Sequence, residues 1–156
     1  MALKRVVVTG LGALTPIGNN LDEFWTGLIE GKSGAAPITY FDTEKFKTKF
    51  ACELKDFDIS LHLDRKQQRK MDRFTQYGMV STEEAIKDSG LDLEKIDKLR
   101  VGVIWGSGIG GIETFQNQML DHASGDGTPR FNPFFIPKMI ADITPGYISI
   151  NYGFMG

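Results

Sequence analysis

Hydrophobic residues fall along this chain in two kinds of pattern. Val6, Val7 and Val8 form an unbroken apolar run, and the absence of polar alternation predicts a strand over residues 5–9 buried on both faces. Gly10-Leu11-Gly12 closes it. Leu21, Phe24, Trp25, Leu28 and Ile29 then recur at helical spacing and predict a helix over 21–30. Asn20 is placed to cap it, with Glu23 as reciprocal acceptor and Gly31 as its stop. Residues 34–57 have no helical period and read as a loop with a small strand near Phe50. A long helical stretch follows over 64–89, broken near Asp72, with Asp64 and Gln67 as a capping box and Gly90 as its end. One stripe of it (Met71, Phe74, Gly78, Thr82, Ala85, Ser89) is built largely of small residues, which allow close approach.

The second half repeats the alternation. Residues 99–105 predict another buried strand. A helix over 112–122 is expected to turn Ile112, Phe115, Met119 and Leu120 inward. Asn132-Pro133 can start a further helix. A last helical pattern runs from Met139 toward Ile150, with Pro145 expected to kink or interrupt it. Strands alternating with helices predict an α/β fold with a mixed, mostly parallel sheet flanked by helices. No internal repeat is visible.

Composition narrows the function classes. The 156 residues predict one domain over 1–156, and 41% hydrophobic residues supply a core. Eighteen basic against twenty acidic residues give a net charge of −2. That balance excludes a general attraction to nucleic acid or to anionic membranes, so a charged partner must meet a local patch. The lone cysteine, Cys52, forms no internal disulfide, and no metal-ligand spacing appears. The start, Met1 to Arg5, leads into too short an apolar run for a signal peptide, and no stretch is long enough to span a membrane. A cytoplasmic protein is predicted. Eighteen glycines cluster at element ends.

Four features could carry chemistry. Gly106-Ser107-Gly108-Ile109-Gly110-Gly111 fits the spacing of a dinucleotide fingerprint. The acidic residue expected about 20 residues further on would have to be Asp126, in a polar loop with no strand before it. A tight turn that lets backbone approach a substrate is the better reading. Thr9-Gly10-Leu11-Gly12 has a similar look, but Pro16 removes an N–H that a pyrophosphate cradle would use. Arg65, Lys66, Arg69 and Lys70 form one positive stripe on a helix. It reads either as a solvated face or as a docking site for an acidic partner. Cys52 reads as a structural cysteine near a strand.

Taken together, Val6–Gly12 with Thr15-Pro16-Ile17-Gly18, Arg65–Asp72, Gly106–Gly111, Asn132–Pro137 and Tyr152–Gly156 resemble the β-ketoacyl-[acyl carrier protein] synthases, type II in particular. The resemblance runs over essentially the whole chain. It implies the N-terminal half of a thiolase-like fold in a homodimeric acyltransferase without cofactors. Such enzymes condense acyl- with malonyl-loaded carrier protein, losing carbon dioxide. Ile109 matches a residue that lines and gates the acyl pocket, and Phe134 another acyl-pocket residue. Lys66, Arg69, Lys70 and Arg130 match positions that meet the carrier protein. The nucleophilic cysteine and two catalytic histidines match nothing between Met1 and Gly156, so these residues alone are expected to be inactive. Cys52 does not match the nucleophile. A different class remains open: a stand-alone carrier-protein-binding or dimerisation module. Uncovered apolar surface is expected at Phe134, Phe135, Ile136 and Phe154.

Overall fold

The computed structural model describes residues 4–156 in two compact units; the start of the leader reading, Met1 to Leu3, lies outside them. One unit holds the residues up to Phe57 together with Ser81–Leu91, and the other holds Asp58–Val80 and Asp92–Gly156.

In the first unit, helix α1 (Leu21–Ile29) begins where the sequence predicts. The Asn20 side chain accepts the Glu23 amide at 2.9 Å. The reciprocal half of the box is displaced, because the Glu23 carboxylate accepts from Asn19 N–H at 2.8 Å, one residue early. Gly31 ends the helix at φ +65, a conformation that side chains resist. The expected small strand is the two-residue β2 (Phe50–Ala51), paired antiparallel with β1 (Ala36–Pro37).

In the second unit a 3-10 turn over Ile59–Leu61 precedes helix α2 (Arg65–Lys70), which is closed at its start by the complete Asp64–Gln67 capping box. Met71 is extended, which makes the predicted break, and α3 (Arg73–Asp88) follows and continues into the first unit. The remaining helices are α4 (Ile112–Ser124), α5 (Phe135–Met139) and α6 (Ile143–Tyr152). The small-residue stripe of α3 has its reason in both units. A side chain at Gly78 would lie 2.6 Å from Thr144 Cγ2 and 3.1 Å from the Trp105 ring. Thr75 and Thr144 are fully buried there, and their hydroxyls are 3.2 Å apart. Ala85 and Ser89 meet Gly10 in the first unit, and Ser81 with Ala85 meets Gly12.

Several expectations are corrected. Among the described residues the only sheet is the β1–β2 pair, so neither 5–9 nor 99–105 stands in a ladder. A strand needs a neighbour for its N–H and C=O groups. Here Val6 and Val8 are 89% and 79% exposed and Ile104 fully so, instead of buried. Lys98 and Val101 accept backbone bonds from Met155 and Gly156 at 2.9 and 3.0 Å, the beginning of a pairing rather than a sheet. On α4, Ile112, Phe115 and Leu120 are exposed, while Thr114, Gln118 and Met119 are half-buried. Phe154, expected to be uncovered, is buried and stacks on Tyr152. α5 starts two residues later than Pro133, although Asn132 still accepts the Phe134 amide at 2.8 Å. Pro145 does not interrupt α6. It is the third residue of the helix, where an N–H has no intrahelical partner to lose.

Candidate functional site

The glycine turn after Gly10 is already satisfied by protein. Asp88 accepts the Leu11 amide at 2.8 Å, and the two oxygens of Glu84 accept Ala13 and Leu21 amides, each at 2.7 Å. The Leu21 amide opens α1, so a fixed carboxylate occupies the positive end of that helix. Amides that a phosphate would need are engaged here. The same holds at Gly106–Gly111, where the Ser107 hydroxyl accepts from Gly110 at 3.2 Å and Met139 carbonyl from Gly111 at 3.0 Å. Neither turn is arranged as a dinucleotide cradle.

Gly106–Gly111 is instead a turn of two textures. Gly106 and Gly108 face open space, and Ile109 between Gly108 and Gly110 is 73% exposed. Gly110, at φ +84, and Gly111 press against the C-terminal end of α5. A side chain on Gly110 would collide with the Met139 carbonyl, and one on Gly111 with the Lys138 carbonyl. The last two glycines of the motif therefore serve close packing by the chain itself; only the first two leave room for something else.

Helix α5 carries the site from one end to the other. Its C-terminal end receives the turn holding Ile109, and its N-cap is Phe134, which is half-buried. The Lys70 ammonium sits 5.7 Å over the Phe134 ring, within cation–π range. Lys70 ends α2, and its carbonyl accepts from Tyr147 OH at 3.4 Å. Arg65, Lys66 and Arg69 are exposed on the same helix, with Arg69 and Lys70 in the last turn where the helix dipole favours cations. The structure thus joins Lys70 to Phe134, a link that sequence spacing did not reveal because the two are 64 residues apart by their numbers.

Arg130 is placed differently. It pairs with Asp126 at 3.3 Å in the loop after α4. The Thr128 backbone amide, then its side chain, holds the Asp126 carboxyl below the ordinary carboxylate range. Cys52, just after β2, is exposed rather than packed as a structural thiol. Among the described residues no cluster of His, Cys, Asp and Glu could hold a metal ion, and no helix is long and apolar enough to cross a membrane.

The fold and this turn-and-helix arrangement define the class: thiolase-like ketosynthases. The ishigamide ketosynthase/chain length factor superposes with a TM-score of 0.86 at 29% identity, over 97% of this chain and 38% of its own. A type II PKS acyl-carrier protein in complex with its ketosynthase bound to the hexaketide gives 0.80 at 30% identity, over 98% and 40%. Residues 3–156 match the beta-ketoacyl synthase, N-terminal domain, and the chain belongs to that family. The 3-oxoacyl-[acyl-carrier-protein] synthase 2 of Staphylococcus aureus (strain COL) is 46% identical across 98% of this chain, and that of Synechocystis sp. 44% identical across 98%. The chain spans about 37% of the length of the first of these.

Proposed function

We propose that this domain serves the decarboxylative condensation of acyl- with malonyl-loaded acyl carrier protein to 3-oxoacyl-carrier protein, in a polypeptide of its relatives' length. The contact between Lys70 and Phe134 carries this reading. It sets the end of a basic helix against an aromatic residue suited to an acyl chain, so one side of the site can meet an acidic carrier while the other receives its cargo. Lys66, Arg69, Lys70 and Arg130 are the carrier-facing cations, and Ile109 with Phe134 forms part of the acyl pocket. The neighbour solved with its acyl-carrier protein supports such a partner. The complete enzyme is read as a cytoplasmic homodimer without cofactor.

The chemistry asked of the complete enzyme is nucleophilic catalysis. A cysteine thiolate takes the acyl group from its thioester while backbone amides stabilise the oxyanion. Two histidines assist the loss of carbon dioxide and the carbon–carbon bond that follows. Mass-spectrometric detection of 3-oxoacyl-carrier protein, from acyl- and malonyl-loaded carrier protein and a polypeptide of the relatives' length, tests the reading. No product there overturns it. Residues 1–156 assayed alone are expected to form none.

Cys52 offers a separate check. In the full-length polypeptide Cys52→Ala should keep kcat/KM within about twofold of the parent, since Cys52 is exposed and a surface substitution of that kind changes little. A loss of three orders of magnitude would make Cys52 the nucleophile.

A further inference from the structure

We propose that Asp72 is a positioning residue: its carboxylate clasps Thr114 at the start of α4 and lies against Gly111, and so fixes the glycine turn that carries Ile109. Asp72 is only 8% exposed. A carboxylate is costly to bury unless its oxygens are satisfied, so its bonds show what it is held for. Oδ2 accepts a hydrogen bond from the Thr114 hydroxyl. The same oxygen would lie 2.9 Å from a Cβ on Gly111, which places it directly against the turn.

Capping α3 does not by itself explain the residue. Its carbonyl accepts the first helical bond, from Gln76 N–H at 3.1 Å, but its side chain meets the Phe74 amide only at 3.4 Å. The bond to the Thr114 hydroxyl leaves its own helix for α4. A second clasp runs beside it, from Arg73 to Glu113 at 3.1 Å. On its far side Gly111 is held by the Met139 carbonyl at 3.0 Å. The turn is thus gripped between the start of α3 and the end of α5. Asp72 also lies two residues beyond Lys70, where α2 ends, so the basic helix and the turn of Ile109 share one fixed point.

The consequence for acyl selection rests on the function proposed above; the structural consequence does not, and the experiment separates them. In residues 1–156 carrying Trp25→Phe, Trp105 is the remaining tryptophan and directly precedes the turn. Removing the hydroxyl with Thr114→Ala should roughly double the acrylamide quenching constant of Trp105 as the turn loosens, and Thr114→Ser should restore it. Unchanged quenching in folded Thr114→Ala, or an equal rise in Thr114→Ser, overturns the proposal. Thr114→Val gives the same reading if the alanine variant does not fold. In the full-length polypeptide, Thr114→Ala should shift the kcat/KM ratio of a long acyl substrate over a two-carbon one by about threefold, the scale of coupling between linked sites. A fixed ratio in an active enzyme overturns the effect on selectivity. A parent without condensation activity removes the proposed function and leaves the quenching result standing.

Discussion

Gly111→Ala should lower the melting temperature of the chain by roughly 10 °C, equivalent to about 3 kcal/mol for a domain of this size. The backbone there is at φ −82 and ψ 58, so a positive φ is not the obstacle. The obstacle is space. The new methyl would collide with the Lys138 carbonyl and stand 2.9 Å from Asp72 Oδ2. A carbonyl at the end of a helix cannot rotate away as a long side chain can, so either α5 or the turn must shift. Gly108→Ala, three residues earlier and facing open space, is the control. It should change stability by no more than about 0.5 kcal/mol. Thermal unfolding of the two variants followed by circular dichroism decides the matter, and equal melting temperatures would refute the close-packing account.

Reversing Arg69 and Lys70 together to Glu should weaken binding of acyl carrier protein by about 100-fold, because like charges facing each other across an interface cost several kcal/mol. Lys70 loses more than its charge. Its ammonium also leaves the Phe134 ring. Glutamate in the last turn of α2 is unfavourable to the helix dipole by about 0.3–1 kcal/mol per residue. The double variant must therefore be shown folded, and Lys66→Glu, nearer the start of the helix, is a milder companion. Isothermal titration against acidic carrier protein at low and moderate salt provides the measurement. Undiminished affinity in a folded double variant would remove α2 as the docking element.

The helices were far more legible than the sheet, for a physical reason. Caps and glycine stops are local, so Asn20, Asp64 with Gln67, Gly31 and Gly90 marked helix ends within a few residues of where the backbone puts them. Strand burial is non-local: Val6–Val8 predict what they would bury against, yet no described residue pairs with them. On α4, Ile112, Phe115 and Leu120 fit a helical period, but periodicity cannot say how much of that face a neighbour covers, and the stacking of Phe115 on Phe135 leaves all three exposed. Within the site, Gly106–Gly111 and the basic stripe stood out in the sequence. The contact of Lys70 with Phe134 and the clasp of Asp72 on Thr114 did not, since both join residues dozens of positions apart.

Both helices of the 135–152 segment have proline as their third residue, Pro137 in α5 and Pro145 in α6. At that position the ring sacrifices no helical hydrogen bond, and it acts on the unfolded chain instead. It removes backbone freedom that folding would otherwise have to remove, an advantage of about 0.4–1 kcal/mol per site. The ring also disfavours helical geometry in the residue before it, which in α6 is Thr144. Thr144 is held helical by full burial and by its hydroxyl contact with Thr75. The conformational entropy of α6 and the packing of Gly78 beneath it are therefore linked: the threonine pair counters the local cost, and the proline keeps the unfolded ensemble small.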